Sequence, residues 1–167
     1  DVPVEPLVSA LREFRGLPHR MEKVAAFNGV TFYDDSKSTN VGSTVAALNG
    51  MKQNVILIAG GDGKGQDFSY LRSAIADNAK AVVLIGRDAN IIADELKDCD
   101  VPVHFAVTME EAMQKSFLLA QAGDVVLLSP ACASFDMFKN YIHRAEVFVA
   151  AVRDIENKFF SFGQKRH

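Results

Sequence analysis

The run Val55-Ile56-Leu57-Ile58-Ala59 sets five apolar side chains in succession with no polar position among them. A strand points alternate side chains to opposite faces, so a run that spares none for water must be covered on both sides. Such a strand belongs to a parallel sheet between two layers of helix. The rest of the chain agrees. Helical segments near 68–76, 90–96 and 109–121 alternate with apolar segments at 81–85, 103–106 and 124–128. Upstream, segments 22–27 and 30–34 flank Asn28-Gly29, a strong signal for a tight hairpin. A helix from 41 to 48 follows, closed by Asn49-Gly50. The expected fold is therefore α/β, a Rossmann-like doubly wound sheet, mostly parallel, with an antiparallel hairpin at its N-terminal edge.

Helix punctuation supports this layout. Thr108-Met109-Glu110-Glu111 has the spacing of a capping box, and Gly123 closes the far side of that helix. A last amphipathic helix is expected from 136 to 157, with Phe138, Ile142, Ala145, Val149 and Val152 on its apolar face. At the other end, Leu7, Leu11 and Phe14 recur at helical spacing before Gly16 and Pro18 stop the pattern. The chain starts at Asp1 rather than Met. Residues 1–16 are therefore expected to be the terminal helix of a preceding domain, with 17–167 as one complete domain.

Composition narrows the function. With 167 residues, 49% hydrophobic and 23% charged, the chain suits one domain with a sizeable core. A net charge of -3 argues against nucleic acid, which selects basic surfaces. No apolar run approaches the length of a membrane span, and no signal-peptide pattern opens the chain. Cys99 and Cys132 are too few for a disulfide framework, so a reducing, cytoplasmic setting and a monomer are expected. His19, His104, His143 and His167 are scattered without a metal-ligand spacing, and no metal ligands are expected.

Three loops leave strand ends where open α/β sheets bind ligands. The first, Asp34-Asp35-Ser36-Lys37-Ser38-Thr39-Asn40, concentrates charged and hydroxyl side chains between a strand and a helix. A helix cap explains Thr39 or Asn40 but does not require two aspartates and a lysine before them. The second is Gly60-Gly61-Asp62-Gly63-Lys64-Gly65. It reads either as a structural turn or as amides that cradle an anion, with Lys64 as countercharge. It fits neither the Walker A nor the Gly-x-Gly-x-x-Gly register. The third, Ser129-Pro130-Ala131-Cys132-Ala133-Ser134, offers Ser134 as the N-cap of the last helix. Cys132, with His143 downstream, reads as a nucleophile or as a small buried thiol.

With these loops in this order, the chain closely resembles the D-glutamate-adding branch of the Mur ligase family, ATP-dependent enzymes of peptidoglycan-precursor synthesis. The resemblance runs from Gly16-Leu17-Pro18-His19-Arg20 through Phe138-Lys139-Asn140. It implies the C-terminal, D-glutamate-binding domain of an enzyme that joins D-glutamate to UDP-N-acetylmuramoyl-L-alanine through an acyl phosphate. It further implies that Thr39, Lys64, Ser134, the Phe135 backbone and Tyr141 hold D-glutamate and that Lys37 faces the reacting groups. Arg20, Asp35 and Asn140 would lie on the nucleotide side, and ATP and magnesium would be held mainly by other domains. Departures from the family pattern are Ser38 for alanine, Phe135 for leucine and Tyr141 for phenylalanine. No Gly-Lys-Ser or Gly-Lys-Thr occurs in the chain. From the residues alone, a free-standing Rossmann-like module for a small anion or nucleotide remains the alternative.

Overall fold

The computed structural model describes residues 16–51 and 54–164. The helix expected near 3–14 lies outside them. A six-stranded sheet runs in the order β1-β2-β6-β3-β4-β5. Its strands are β1 (Glu22–Phe27), β2 (Val30–Asp34), β3 (Val55–Gly60), β4 (Ala79–Ile85), β5 (Val103–Phe105) and β6 (Val125–Leu128). Only β1 runs antiparallel to its neighbour; the four remaining pairings are parallel. Asn28 (φ 53°) and Gly29 (φ 73°) turn the hairpin, both in the left-handed region that a type I′ turn requires.

Among the described residues five α-helices connect or follow the strands: α1 (Val41–Gly50), α2 (Leu71–Asn78), α3 (Ala89–Leu96), α4 (Met109–Leu119) and α5 (Tyr141–Gln164). From β2 the chain steps past β6 to β3, β4 and β5, then returns to insert β6 between β2 and β3. Right-handed crossovers therefore put α1, α2 and α3 on one face and α4 on the other. The two apolar clusters match this division. Leu48, Leu71, Ile75 and Ile92 pack on Leu57 and Leu127, while Met113, Phe148 and Val152 pack with Phe32, Ile58 and Val126 on the opposite face. Every residue of β3 is buried, as its unbroken apolar run demands.

Helix α4 starts at the expected cap: Thr108 Oγ1 accepts from Glu111 N at 3.1 Å. Glu111 Oε2 reaches back to Val107 N at 2.7 Å, one residue before the cap itself. The last helix differs from its expectation. It begins at Tyr141, and its N-cap is Asn140, whose Oδ1 accepts from His143 N at 2.8 Å. Ser134 is not a helix cap; its carbonyl accepts from Met137 N (3.2 Å) and Phe138 N (2.8 Å) in a separate tight turn. Residues 135–140 stay outside the helix, and among them Asp136 accepts from Arg87 N at 2.9 Å. The buried face is consequently Ala145, Phe148, Val152 and Ile155, and Ile142 is exposed. Helix α5 also takes in the aromatic tail, where Phe159 packs 5.8 Å from Phe27 between ring centroids.

Register brings the loops together. Leu128 pairs with Asp34 on one side and Ile58 on the other, and Gly60 pairs with Ile85. The segments after β2, β3, β4 and β6 therefore open along one edge of the sheet. Gly60 (φ 116°) passes so close to β4 that an added Cβ would sit 1.9 Å from the Ile85 carbonyl oxygen, whereas nothing lies within 4 Å of the same atom at Gly65 (φ 73°). Gly60→Ala is expected to destabilise the chain by more than about 3 kcal/mol, adding a backbone clash to the strained φ. Gly65→Ala, which meets only the strain, should cost about 1 kcal/mol. Urea unfolding of the two variants checks the contrast, and equal losses would contradict it.

Candidate functional site

The loop after β2 is braced by its own side chains. Asp35 Oδ2 accepts from Ser38 Oγ (2.5 Å) and Ser129 Oγ (2.7 Å), and Asp35 Oδ1 accepts from Met21 N (3.2 Å). Asp34, Asp35, Ser36 and Ser38 are all buried. Lys37 is left exposed and Thr39 half-buried, so these two project from a loop whose aspartates and serines are buried. Helix α1 is capped by Asn40, whose Oδ1 accepts from Ser43 N at 2.9 Å. Gln66, from the glycine loop, accepts from Val41 N at 2.9 Å and donates to Ala131 O at 3.1 Å, so it stitches the three loops together.

In the glycine loop the amides are mostly spent inside the protein. Gly60 N donates to Pro130 O, Asp62 N to Ala133 O, Gly63 N to Asp88 Oδ2 and Lys64 N to Asp62 Oδ1. These groups therefore favour the structural-turn reading of this loop over the anion cradle, and the glycines serve close packing. At Gly61 an added Cβ would lie 2.5 Å from Ala133 O. What the loop does present is the exposed Lys64 side chain, with Nζ 5.9 Å from the centroid of the exposed Phe135 ring.

The third loop is anchored by a residue the motifs do not announce. Arg144, 1% exposed, donates from Nε to Ser36 Oγ (3.0 Å), from Nη1 to Cys132 O (2.9 Å) and from Nη2 to Ser36 O (2.6 Å). Ser36 Oγ in turn donates to Tyr141 O at 2.7 Å. Burial is the main cause that lowers the Arg144 pKa, to about 10, which still leaves the group charged at neutral pH. A lone arginine beside Ala145 and Phe148 on an apolar helix stripe was the signal available in the sequence.

The structure gathers the expected residues into two adjoining groups. Lys64 meets Phe135, and Ser134 follows Ala133, which pairs with Asp62. Ser134 is 2% exposed. On the other side, Lys37 N donates to His19 O at 3.0 Å, next to the exposed Arg20, and the His19 ring lies 6.2 Å from the Tyr141 ring. Asn140 is exposed at the helix start. Asp35 differs from an exposed contact residue, being 1% exposed with both oxygens engaged.

Cys132 is buried, and burial pushes its thiol up to about 12, so at neutral pH it is not a thiolate. His143 accepts from Lys139 N through Nδ1. These facts favour the buried-thiol reading over the nucleophile. Among the described residues, ligand-type atoms of His19, Glu22 and Asp34 lie within 4.8 Å of one another. They already satisfy each other: His19 Nδ1 lies 2.7 Å from Asp34 Oδ2, and His19 N donates to Glu22 Oε2 at 3.0 Å. No described helix is long and apolar enough to cross a membrane.

Asp34 yields a pH test. Burial raises its pKa above 3.8, and the hydrogen bond from His19 only partly opposes this. The folded chain therefore holds this proton more tightly than the unfolded chain does. The stabilisation this group supplies is fully present below the unfolded value and is lost as pH rises through the folded value. Compared with Asp34→Asn, the wild-type chain should gain stability on acidification through that window, measured by urea unfolding at a series of pH values. A constant difference between the two proteins would contradict the assignment.

The profile of the family described as Mur ligase, glutamate ligase domain, matches residues 19–132. UDP-N-acetylmuramoylalanine--D-glutamate ligase of Nitrosomonas europaea is 68% identical over 167 residues, which is 100% of this chain and 36% of that protein. The enzyme of the same description from Nitrosospira multiformis is 69% identical over 155 residues, covering 93% of this chain and 33% of that one. The chain thus spans about a third of the length of these curated relatives. Among solved structures, UDP-N-acetylmuramate-alanine ligase of Thermotoga maritima shares the fold at a TM-score of 0.65 and 19% identity, over 90% of this chain and 34% of that chain. A bifunctional folylpolyglutamate synthase/dihydrofolate synthase from Yersinia pestis does so at 0.58 and 16%, over 81% and 31%. Matched to the family profile over more than half its length, the chain belongs to the glutamate ligase domain family of Mur ligases.

Proposed function

We propose that the chain is the C-terminal, D-glutamate-binding domain of a ligase that joins D-glutamate to UDP-N-acetylmuramoyl-L-alanine in peptidoglycan-precursor synthesis. The observation that carries this reading is identity of 68% along the whole chain to a ligase of that description. The site geometry is consistent with it. A dianionic amino acid needs a cation, hydroxyls and backbone amides around its carboxylates while its amine is aimed at an acyl carbon. Lys64 supplies an exposed cation beside Phe135, with Ser134 and Thr39 on the neighbouring loops and Tyr141 beyond them.

In this reading ATP, with magnesium, activates the alanine carboxylate as an acyl phosphate, and both are held mainly outside this chain. The chain has no Gly-Lys-Ser or Gly-Lys-Thr sequence to cradle the triphosphate. Its own residues bind and orient. Lys64, Thr39, Ser134, the Phe135 backbone and Tyr141 hold D-glutamate, and Lys37 faces the reacting groups, where it offsets developing negative charge. Arg20 and Asn140 lie toward the nucleotide, with Asp35 bracing the loop beside them. The protein acts in the cytoplasm as a monomer.

A charged hydrogen-bond partner is worth roughly 1.5–3 kcal/mol and a neutral one about 1. In the full-length ligase carrying this chain, Lys64→Ala is therefore expected to raise KM for D-glutamate about tenfold or more. Ser134→Ala should raise it less, and the 167-residue chain alone should consume no ATP. Steady-state kinetics with each substrate varied provides the check. A Lys64→Ala enzyme impaired for ATP but not for D-glutamate would make the glycine loop a nucleotide loop and overturn the assignment.

A further inference from the structure

Lys64 stands in a backbone conformation that lysine disfavours. Gln66 N donates to Gly63 O at 3.0 Å, closing a four-residue turn whose central residues, Lys64 (φ 50°) and Gly65 (φ 73°), are both left-handed. Turns of this kind select Gly, Asn or Asp at those positions. A lysine at the tip is strained unless its surroundings hold it there. The hold on its amide is Asp62, whose Oδ1 accepts from Lys64 N at 3.0 Å. Asp62 is fixed on two sides. Its backbone pairs with Ala133, and its Oδ1 also meets Arg87 Nη2 in an ion pair. Arg87 itself comes from the segment after β4, where its amide donates to Asp136 Oδ2 at 2.9 Å and the next amide, Asp88 N, donates to Gly61 O at 3.0 Å.

One carboxylate oxygen thus joins the Arg87 guanidinium to the Lys64 amide. We propose that Arg87 is a positioning residue for Lys64, acting through Asp62, and so tunes the affinity of the acidic amino-acid site without touching the substrate. The inference rests on the reading that Lys64 binds D-glutamate. It brings in a fourth loop, between β4 and α3, that no motif marks. The hydrogen bond from Arg87 holds the Asp62 carboxyl below the usual carboxylate range, in keeping with a close contact between the two. The Arg87 side chain is 61% exposed, and exposed ion pairs contribute little to overall stability. Its loss should therefore leave the fold intact while loosening the turn.

The test is a double-mutant cycle in the full-length ligase. Arg87→Ala is expected to raise KM for D-glutamate about two- to fivefold, the range of a single exposed pair, with KM for ATP unchanged. Arg87→Lys should recover most of the loss, because a single ammonium can still reach Asp62. Adding Arg87→Ala to Lys64→Ala should raise KM no further than Lys64→Ala alone, since the arginine acts through the lysine. Amide hydrogen exchange of the 167-residue chain supplies a second readout: Arg87→Ala should speed exchange at Lys64. If Lys64→Ala raises KM while Arg87→Ala does not, or if the two effects multiply, the inference falls and the D-glutamate reading stands. If Lys64→Ala leaves KM unchanged, the D-glutamate reading falls, and with it the assigned role of Arg87 in amino-acid affinity. Unchanged exchange at Lys64 in Arg87→Ala, or in Arg87→Gln if the alanine variant misfolds, would overturn the inference on its own.

Discussion

The Arg144 guanidinium lies inside the protein, where a positive charge costs several kcal/mol unless polar groups replace its water. Ser36 and Cys132 provide that replacement through one hydroxyl and two carbonyls, at 2.6 to 3.0 Å. The consequence is geometric. Ser36 belongs to the loop after β2, Cys132 to the loop after β6, and Arg144 to the first turn of the helix that follows, so one side chain fixes all three. Neither carbonyl has another described hydrogen-bond donor in these contacts, and each would be stranded by loss of the arginine. Gln66 extends the same arrangement to the glycine loop by bonding Val41 N and Ala131 O.

Around this buried frame the exposed groups are free to serve a ligand. Asp35, Ser36, Ser38 and Ser129 are saturated inside the protein, and their packing sets where Lys37 and Thr39 emerge. Asp62 and Arg87 do the same for Lys64 at the surface, with an ion pair that contributes little to folding. The division is physically sensible. Strongly bonded, desolvated groups give the site its shape, and solvent-facing cations keep the freedom to exchange water for a carboxylate.

The mostly parallel sheet with its antiparallel hairpin edge was legible because two faces of apolar residues in β3 admit few sheets, and because Asn28-Gly29 admits few turns. The capping residue of α4 was legible for the same local reason, through Thr108 and Glu111. The start of α5 was not. Ser134 and Asn140 both carry the chemistry of an N-cap, and the segment between them makes a contact that its own sequence does not announce, from Asp136 to the distant Arg87 amide. The inward turn of the glycine-loop amides was hidden for a related reason. Three of their acceptors, on Pro130, Ala133 and Asp88, lie in the loops after β6 and β4, which only the fold brings alongside. Arg144 shows how much a motif leaves out, since the side chain that joins two motifs lies in neither.

The central claim is that the loops after β2, β3 and β6 form one site for D-glutamate. The most direct measurement is amide chemical-shift mapping of the 167-residue chain titrated with D-glutamate. The account predicts perturbations that saturate together at Thr39, Lys64 and the Ser134–Phe135 peptide, and that in Lys64→Ala need about tenfold more D-glutamate to saturate. Perturbations confined elsewhere, such as the apolar groove of Phe117, Ile155 and Phe159 between α4 and α5, would contradict it.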